Sequence, residues 1–418
     1  MEREARLEER LERWFGLKMF RKGQEQVVRD VLAGRHTLAV MPTGFGKSLC
    51  YQLPALMLRG ATVVVSPLIA LMKDQVDGLR ARGLPAAMVT SAQAPEERRA
   101  VLAAFRAGRV RLLYAAPERF RDGLFRAALK ETRLALLAVD EAHCVSAWGH
   151  DFRPDYLALA SAAAELGFAS VAAFTATATP EVRGDIADKL GLRSPAVHVA
   201  GFARPNLRLS VAPIRRMPQK ERRIEALLAG TDRPGIVYVS TRGHAQEVAA
   251  RLAANGHTAG AYHGGMQNEE RRTNHERFMS GSFRVMVATS AFGMGVDKPD
   301  IGFVAHYDVP GSIEAYYQEA GRAGRDGSKA ECVLLFTYAD VAIQERLITH
   351  PRRRDDGRPL PDPQALLARR RLDLSRLRSM VSYAYGRGCR HRFILRHFGD
   401  PELPGPGPCG ACDACEGP

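Results

Sequence analysis

Short apolar runs that alternate with longer amphipathic stretches constrain this chain most. TLAVM (37–41), TVVVSP (62–67), VRLLYAAP (110–117), LALLAVD (134–140) and SVAAFTAT (170–177) read as buried strands, each followed by a segment with polar residues at helical spacing. Strand and helix in alternation imply parallel pairing, and a parallel sheet is covered on both faces. The pattern breaks at GFARPN (201–206). A second series then runs through GIVYVS (235–240), TAGAYH (258–263), FRVMVATS (283–290), IGFVAHYD (301–308) and AECVLLFT (330–337). Two α/β domains in tandem are predicted, residues 1–203 and 204–340. After Tyr338 the strands stop. A helical third domain is predicted over 341–418. In it an exposed loop, PRRRDDGRPLPDP (351–363), precedes a helix over 364–385 with Leu366, Leu367, Leu374, Leu377 and Val381 as its apolar positions.

A chain of 418 residues is long enough for two to three such domains, and 46% apolar content excludes wholesale disorder. No apolar run is long enough to span a bilayer, and the opening MEREARLEERLERWFG lacks the apolar core of a signal peptide. A soluble, cytoplasmic protein is expected, one with no membrane partner. The net charge of +14 and pI of about 9.7 favour a polyanionic partner, nucleic acid first. Charge alone does not decide this, since many basic proteins bind none.

MPTGFGKS (41–48) lies between a strand and a helix. There Gly44, Gly46, Lys47 and Ser48 form a phosphate cradle: backbone N–H groups face the phosphates, Lys47 reaches the β/γ-phosphates and Ser48 binds Mg²⁺. Met41 stands where the strict pattern has glycine. LLAVDEAH (136–143) ends a strand with two carboxylates. Asp140 suits Mg²⁺, and Glu141 suits the orientation and deprotonation of water. The bland alternatives are a glycine-rich turn and an acidic helix start.

DEAH runs on into Trp148, Phe152 and Arg153. Aromatic and basic residues beside a nucleotide site either pack in a core or stack on bases and pair with phosphate. Cys389, Cys409, Cys412 and Cys415 follow the pattern C-x19-C-x2-C-x2-C, which suits a tetrahedral Zn²⁺. An iron–sulfur cluster also takes four cysteines. His391 and His397 are surplus and are expected at the surface.

DEAH followed by WGHDFRP resembles the RecQ family of superfamily 2 DNA helicases. FGLKMFRKGQ (15–24), VVVSPLIALMKDQV (63–76), YAAPERF (114–120), FTATAT (174–179), IVYVSTR (236–242), VATSAFGMGVDKPD (287–300) and YYQEAGRAGRDG (316–327) resemble its further motifs, in order and over nearly the whole chain. The resemblance implies two RecA-like P-loop domains followed by a small helical zinc-binding domain. It implies ATP, Mg²⁺ and Zn²⁺ as cofactors, and 3′-to-5′ unwinding or translocation in DNA repair and recombination. Single-stranded and partly duplex DNA would be the substrate, on the bacterial nucleoid, with single-strand-binding or other repair proteins as further partners.

By the same resemblance Arg21 and Gln24 would contact adenine, and Thr43 and Asp297 would line the nucleotide site. Gln318, Arg322 and Arg325 would face ATP from the second domain, with Arg325 as the arginine finger. The loop carrying Trp148, His150, Phe152 and Arg153 would sense DNA, and Ser66 and Thr289 would contact its phosphates. Phe45, Leu17 and Ala147 depart from the family pattern, which predicts altered nucleotide affinity, looser base preference and weaker coupling to DNA. The winged-helix and C-terminal helical domains of many relatives are missing from the sequence. Translocation is therefore expected more firmly than vigorous unwinding. A nucleotide-switched DNA-binding or annealing protein and an RNA helicase of the same superfamily are the competing readings.

Overall fold

The computed structural model describes residues 2–416 except Thr43, His150, 294–297, 351–361, Pro404 and Pro406, with side chains from residue 7 onward. The predicted loop at 351–363 lies almost wholly outside the described residues. Two compact units divide the chain, Met1–Gly201 and Phe202–Pro418.

The first unit holds β1 (Thr37–Val40), β2 (Ala61–Val65), β3 (Ala86–Val89), β4 (Leu112–Ala115), β5 (Leu134–Val139), β6 (Ser170–Thr175) and β7 (Ala196–Val199). They form one parallel sheet in the order β3-β4-β2-β5-β6-β1-β7. Every residue of β1, β2, β4, β5 and β6 is buried. Parallel strands covered on both faces need such continuous apolar runs, and these are the runs visible in the sequence. The phosphate loop leaves β1 and the acidic pair leaves β5, at the same carboxyl edge of the sheet.

The second unit holds β8 (Leu207–Pro213), β9 (Gly235–Tyr238), β10 (Ala259–Tyr262), β11 (Val285–Ala288), β12 (Phe303–His306) and β13 (Ala330–Phe336). Its parallel sheet runs β10-β11-β9-β12-β13-β8. Three strands escaped the sequence reading. β3 and β7 are short outer strands, and β8 alternates buried with half-buried positions, so none shows a long continuous apolar run.

The segment expected as a separate domain from 341 packs with the residues after Phe202 as one unit. The helix Pro363–Tyr385 forms as predicted but buries Leu377, Met380, Tyr383 and Ala384, while Leu367 is exposed. The Tyr383 hydroxyl meets that of Tyr316 at 3.2 Å, and Phe398 stacks on Phe202 at 4.6 Å. The cysteine-bearing segment lies along the open edge of β8: Leu209 N–H donates to Ala411 O at 3.0 Å and Val211 N–H to Asp413 at 2.9 Å. An uncovered edge strand invites pairing with other chains, and this segment covers it.

A buried charge cluster braces the carboxyl edge of this second sheet. Lys220, fully buried, donates to the Asp340 carboxylate at 2.9 and 3.1 Å and lies 3.5 Å from Asp308. Asp308 in turn accepts from Ser240 N–H and meets His244 Nδ1, each at 2.8 Å. No described helix is long and apolar enough to cross a membrane.

Candidate nucleotide and nucleic-acid sites

The phosphate loop turns on two glycines with positive φ, Gly44 at +87° and Gly46 at +75°. Among the described residues, the N–H groups of Gly46, Lys47 and Ser48 find no backbone acceptor, so they are available to an anion at the start of the helix Leu49–Met57. Lys47 Nζ donates to Met41 O at 3.2 Å, folding the side chain back over the loop. Gln24 and Arg21 sit directly on the same loop. Gln24 Nε2 donates to Phe45 O at 2.7 Å and Gly46 O at 3.2 Å, while its carbonyl accepts Arg21 N–H at 2.7 Å. The Arg21 guanidinium donates to Gly44 O. The two residues expected at adenine thus spend these bonds on the phosphate loop in this conformation. Thr43 lies outside the described residues.

Asp140 follows β5 and is 8% exposed. Burial first, and then the adjacent Glu141, push its carboxyl up to about 7, against the pull of Lys47. A buried acid raised in this way favours a cation beside it. Glu141 takes a left-handed conformation at φ +47°, which is costly for a residue with a side chain. That turn sets its Oε2 3.3 Å from His143 Nδ1, and the same nitrogen lies 2.9 Å from Thr175 Oγ1. The His143–Thr175 contact ties the DEAH and FTATAT segments together, and Thr175 Oγ1 donates on to Thr177 O at 3.2 Å. The fully buried Tyr156 donates its hydroxyl to Asp140 O at 3.1 Å. Sequence reasoning did not assign roles to His143, Thr175 or Tyr156. The motifs containing the first two were visible, but not the contact between them.

The following loop closes on itself and raises its aromatic tip. Arg153 N–H donates to Cys144 O at 2.8 Å, and Trp148 N–H to Ser146 Oγ at 3.1 Å. A side chain at Gly149 would stand 2.2 Å from His143 O, so only glycine fits this closure. Trp148 is 56% exposed, which removes the core-packing alternative for it, while Phe152 is half-buried. Arg153, expected at phosphate, is engaged within its own loop in this conformation. Its guanidinium is held by Asp151 at 2.9 and 3.1 Å and by Pro67 O at 3.4 Å, so it braces the loop. Ser66, also expected at phosphate, is 2% exposed; its N–H donates to Ala115 O, and its buried hydroxyl has no partner among the described residues. His150 lies outside the described residues.

In the second unit Thr289 stands half-buried just after β11, its N–H donating to Tyr262 O at 3.1 Å. Gln318 and Arg325 are half-buried, and Arg322 is 7% exposed. The Arg322 guanidinium lies beside Gly293, its Nη2 3.0 Å from where a side chain there would begin. Asp297 lies outside the described residues.

The four clustered cysteines converge, their sulfurs all within 4.8 Å of one another. Tetrahedral Zn²⁺ with bonds of about 2.3 Å needs sulfurs this close, whereas a cluster of several irons holds them farther apart. The donor set and spacing therefore fit a single structural zinc ion. Cys389 caps the helix Arg390–His397, accepting Arg392 N–H at 3.5 Å. Arg390 donates to Asp413 at 2.8 Å and to Tyr383 O at 2.6 Å, bracing the cysteine turn. The two histidines expected at the surface are partly buried instead. His391 Nε2 lies 3.0 Å from Leu207 O and fastens this segment to β8, while His397 Nε2 lies 2.9 Å from Glu314 and fastens it to the helix Ile313–Ala320.

The comparisons agree with this layout. The DEAD/DEAH box helicase family model matches residues 21–184, that of the helicase conserved C-terminal domain residues 219–327, and that of RecQ zinc-binding residues 338–416. The ATP-dependent DNA helicase RecQ of Bacillus subtilis is 43% identical over 97% of this chain and 66% of its own length. The probable ATP-dependent DNA helicase RecS of the same organism is 41% identical over 82% of this chain and 69% of its own length. The chain belongs to the RecQ family of helicases. It spans 61–66% of the length of the RecQ relatives from Bacillus subtilis, Pasteurella multocida and Haemophilus influenzae.

Among solved structures, Mycobacterium smegmatis helicase Lhr bound to ssDNA and AMP-PNP has a TM-score of 0.61 at 21% identity, covering 90% of this chain and 57% of that one. Saccharomyces cerevisiae Dbp5 bound to RNA and ADP BeF3 has a TM-score of 0.62 at 17% identity, covering 81% and 90%. At such identity these likenesses show the fold of the two parallel-sheet units. Family membership rests on the RecQ relatives and on the RecQ zinc-binding match.

Proposed function

We propose that this RecQ-family chain is an ATP-dependent DNA helicase, a DNA-stimulated ATPase that moves 3′ to 5′ on single strands and parts duplexes. The observation that carries the reading is the exposed Trp148 at the tip of a closed loop that begins at Asp140–Glu141. The loop is fastened back by Arg153 to Cys144 and by Tyr156 to Asp140, so a base stacked on Trp148 pulls on the backbone of the acidic pair.

Lys47 and the N–H groups of the loop at Gly44 and Gly46 bind the phosphates, with Thr43 and Asp297 completing the nucleotide site. Ser48 and Asp140 would hold Mg²⁺, whose charge would favour the ionised form of the buried Asp140 carboxyl. Bound there, Mg²⁺ would supply charge neutralisation at the phosphates. Glu141, turned into place at φ +47°, orients and deprotonates the attacking water. Arg322 and Arg325, with Gln318, stabilise charge on the transferring phosphoryl group, and an arginine in this role contributes roughly 10³–10⁵ in rate. Arg21 and Gln24 release the phosphate loop when ATP arrives and turn to the adenine. Phe152, His150 and Thr289 add sequence-independent DNA contacts, and the four cysteines hold Zn²⁺.

The test is steady-state ATP hydrolysis with and without single-stranded DNA, with Glu141→Gln as control. Strong stimulation that disappears in the control supports the motor. Hydrolysis indifferent to DNA, or none in a folded sample, defeats it.

A further inference from the structure

The first residues of the second unit, FARPN, lie against the turn that carries Arg322 and Arg325. The helix Ile313–Ala320 ends at Gly321, and carbonyls past a helix end need partners from outside it. Arg204 supplies them. Its Nη1 donates to Gly321 O at 3.1 Å, and its Nη2 to Ala323 O at 3.0 Å and Gly324 O at 3.2 Å. One planar fork therefore spans the carbonyls on both sides of Arg322. A cation is also favoured at the carboxyl end of a helix.

Asn206 closes the other half of the turn. Its Nδ2 donates to Gly324 O at 2.8 Å and to Ser328 O at 2.9 Å, which ties together the two ends of the stretch that holds Arg325. Gly324 has φ +54°, and a side chain there would stand 2.5 Å from Asn206 Nδ2 and 2.7 Å from Ser328 O. The amide thus uses space that only glycine leaves open. The backbone behind both side chains is anchored. Phe202 O accepts the Tyr317 hydroxyl at 3.0 Å, and the Phe202 ring stacks on Phe398. Arg204 O accepts Leu207 N–H at 2.9 Å, and Asn206 O accepts Ala330 N–H at 3.0 Å. Arg204 and Asn206 therefore reach the turn from a fixed base at the start of β8.

We propose that Arg204 and Asn206 are positioning residues for ATP hydrolysis, seating the turn 321–328 so that Arg322 and Arg325 reach the transferring phosphoryl group. The inference rests on the role given above to those two arginines. A group that acts on the transition state must stand at the right place, and a misplacement of about 1 Å can cost about a hundredfold in rate. Lysine in place of Arg204 keeps the charge but presents a point donor rather than a fork, so it cannot span the same carbonyls. Alanine in place of Asn206 removes both amide bonds and unties the stretch around Arg325.

The experiment uses the full chain with Arg204→Lys and Asn206→Ala, and with Arg325→Ala as reference. It measures kcat for ATP at saturating oligo(dT), the affinity for ADP with and without aluminium fluoride, and the melting temperature. ADP with aluminium fluoride mimics the transferring phosphoryl group, so its preference over ADP reports transition-state stabilisation. Both variants are expected to lose about tenfold or more in kcat and a similar factor in that preference. Affinity for ADP alone and the melting temperature are expected to stay close to wild type. Unchanged kcat and preference in both variants, beside an Arg325→Ala that loses both, overturn the inference alone. A fall in kcat with the preference intact, or one matched by falls in ADP affinity and melting temperature, makes the two residues merely structural and overturns it too. A wild type that does not hydrolyse ATP, or an Arg325→Ala that keeps its kcat and preference, overturns the functional reading, and the inference falls with it.

Discussion

Lys220→Met removes the cation from the buried cluster at Asp308 and Asp340. Neither the lysine side chain nor that of Asp308 has any exposed surface, and the Asp340 side chain is 5% exposed. Methionine fills similar space, so the loss is electrostatic rather than a cavity. Breaking a buried ion pair by removing one partner costs about 3–5 kcal/mol. For a unit of this size that lowers the melting temperature by about 10 °C. The loss also depends on pH. Burial pushes the Asp340 carboxyl up to about 6, with Lys220 pulling the other way. Burial raises Asp308 as well, but His244, the Ser240 N–H and Lys220 outweigh it and hold that carboxyl below its usual range. The folded value for Asp340 lies above its unfolded value of about 3.9, so folding takes up a proton and this group's contribution declines as pH rises from about 4 through 6. Without Lys220 the Asp340 value rises further. The variant therefore strands two ionised carboxylates near pH 8 but only one near pH 5, where the penalty should shrink by about half. Thermal unfolding followed by circular dichroism at both pH values measures this. A loss under about 2 °C, or the same loss at both pH values, refutes the account of the cluster.

Trp148→Ala removes an exposed ring that would stack on a base. Affinity for single-stranded DNA should weaken about tenfold or more, at 1–3 kcal/mol per stacked base, with the melting temperature unchanged. Fluorescence titration and calorimetry check both. Cys412→Ser should release zinc, measured by a chelating dye, and unfold the segment along β8, because a structural site contributes on the order of 10 kcal/mol. A stable, metal-free wild type would contradict this. Gly46→Ala places a side chain at φ +75° and 2.7 Å from Gln24 Nε2. It should weaken nucleotide binding about tenfold by straining the loop and displacing Gln24, as read with a fluorescent ATP analogue.

The sequence by itself determined what depends on local pattern. The parallel sheets could be read because their central strands, such as β2 and β5, are buried on both faces and must be apolar throughout. The phosphate loop, the acidic pair and the cysteine pattern could be read because their chemistry dictates residue type at fixed spacing. Tertiary structure decided what depends on contacts between distant segments. Arg153 and Ser66 looked equally suited to phosphate in the sequence. In the structure an aspartate two residues away pairs with the first, and the second is buried with its hydroxyl unpartnered among the described residues. Gln24 meets the phosphate loop, and His143 meets Thr175, only because the sheet brings their segments to one edge. Tyr238 reads in the sequence as one more apolar position of an ordinary buried strand, GIVYVS. Register alone sets its hydroxyl 2.8 Å from Phe292 O, and such a position is fixed by the pairing of whole strands, which no local stretch of sequence specifies.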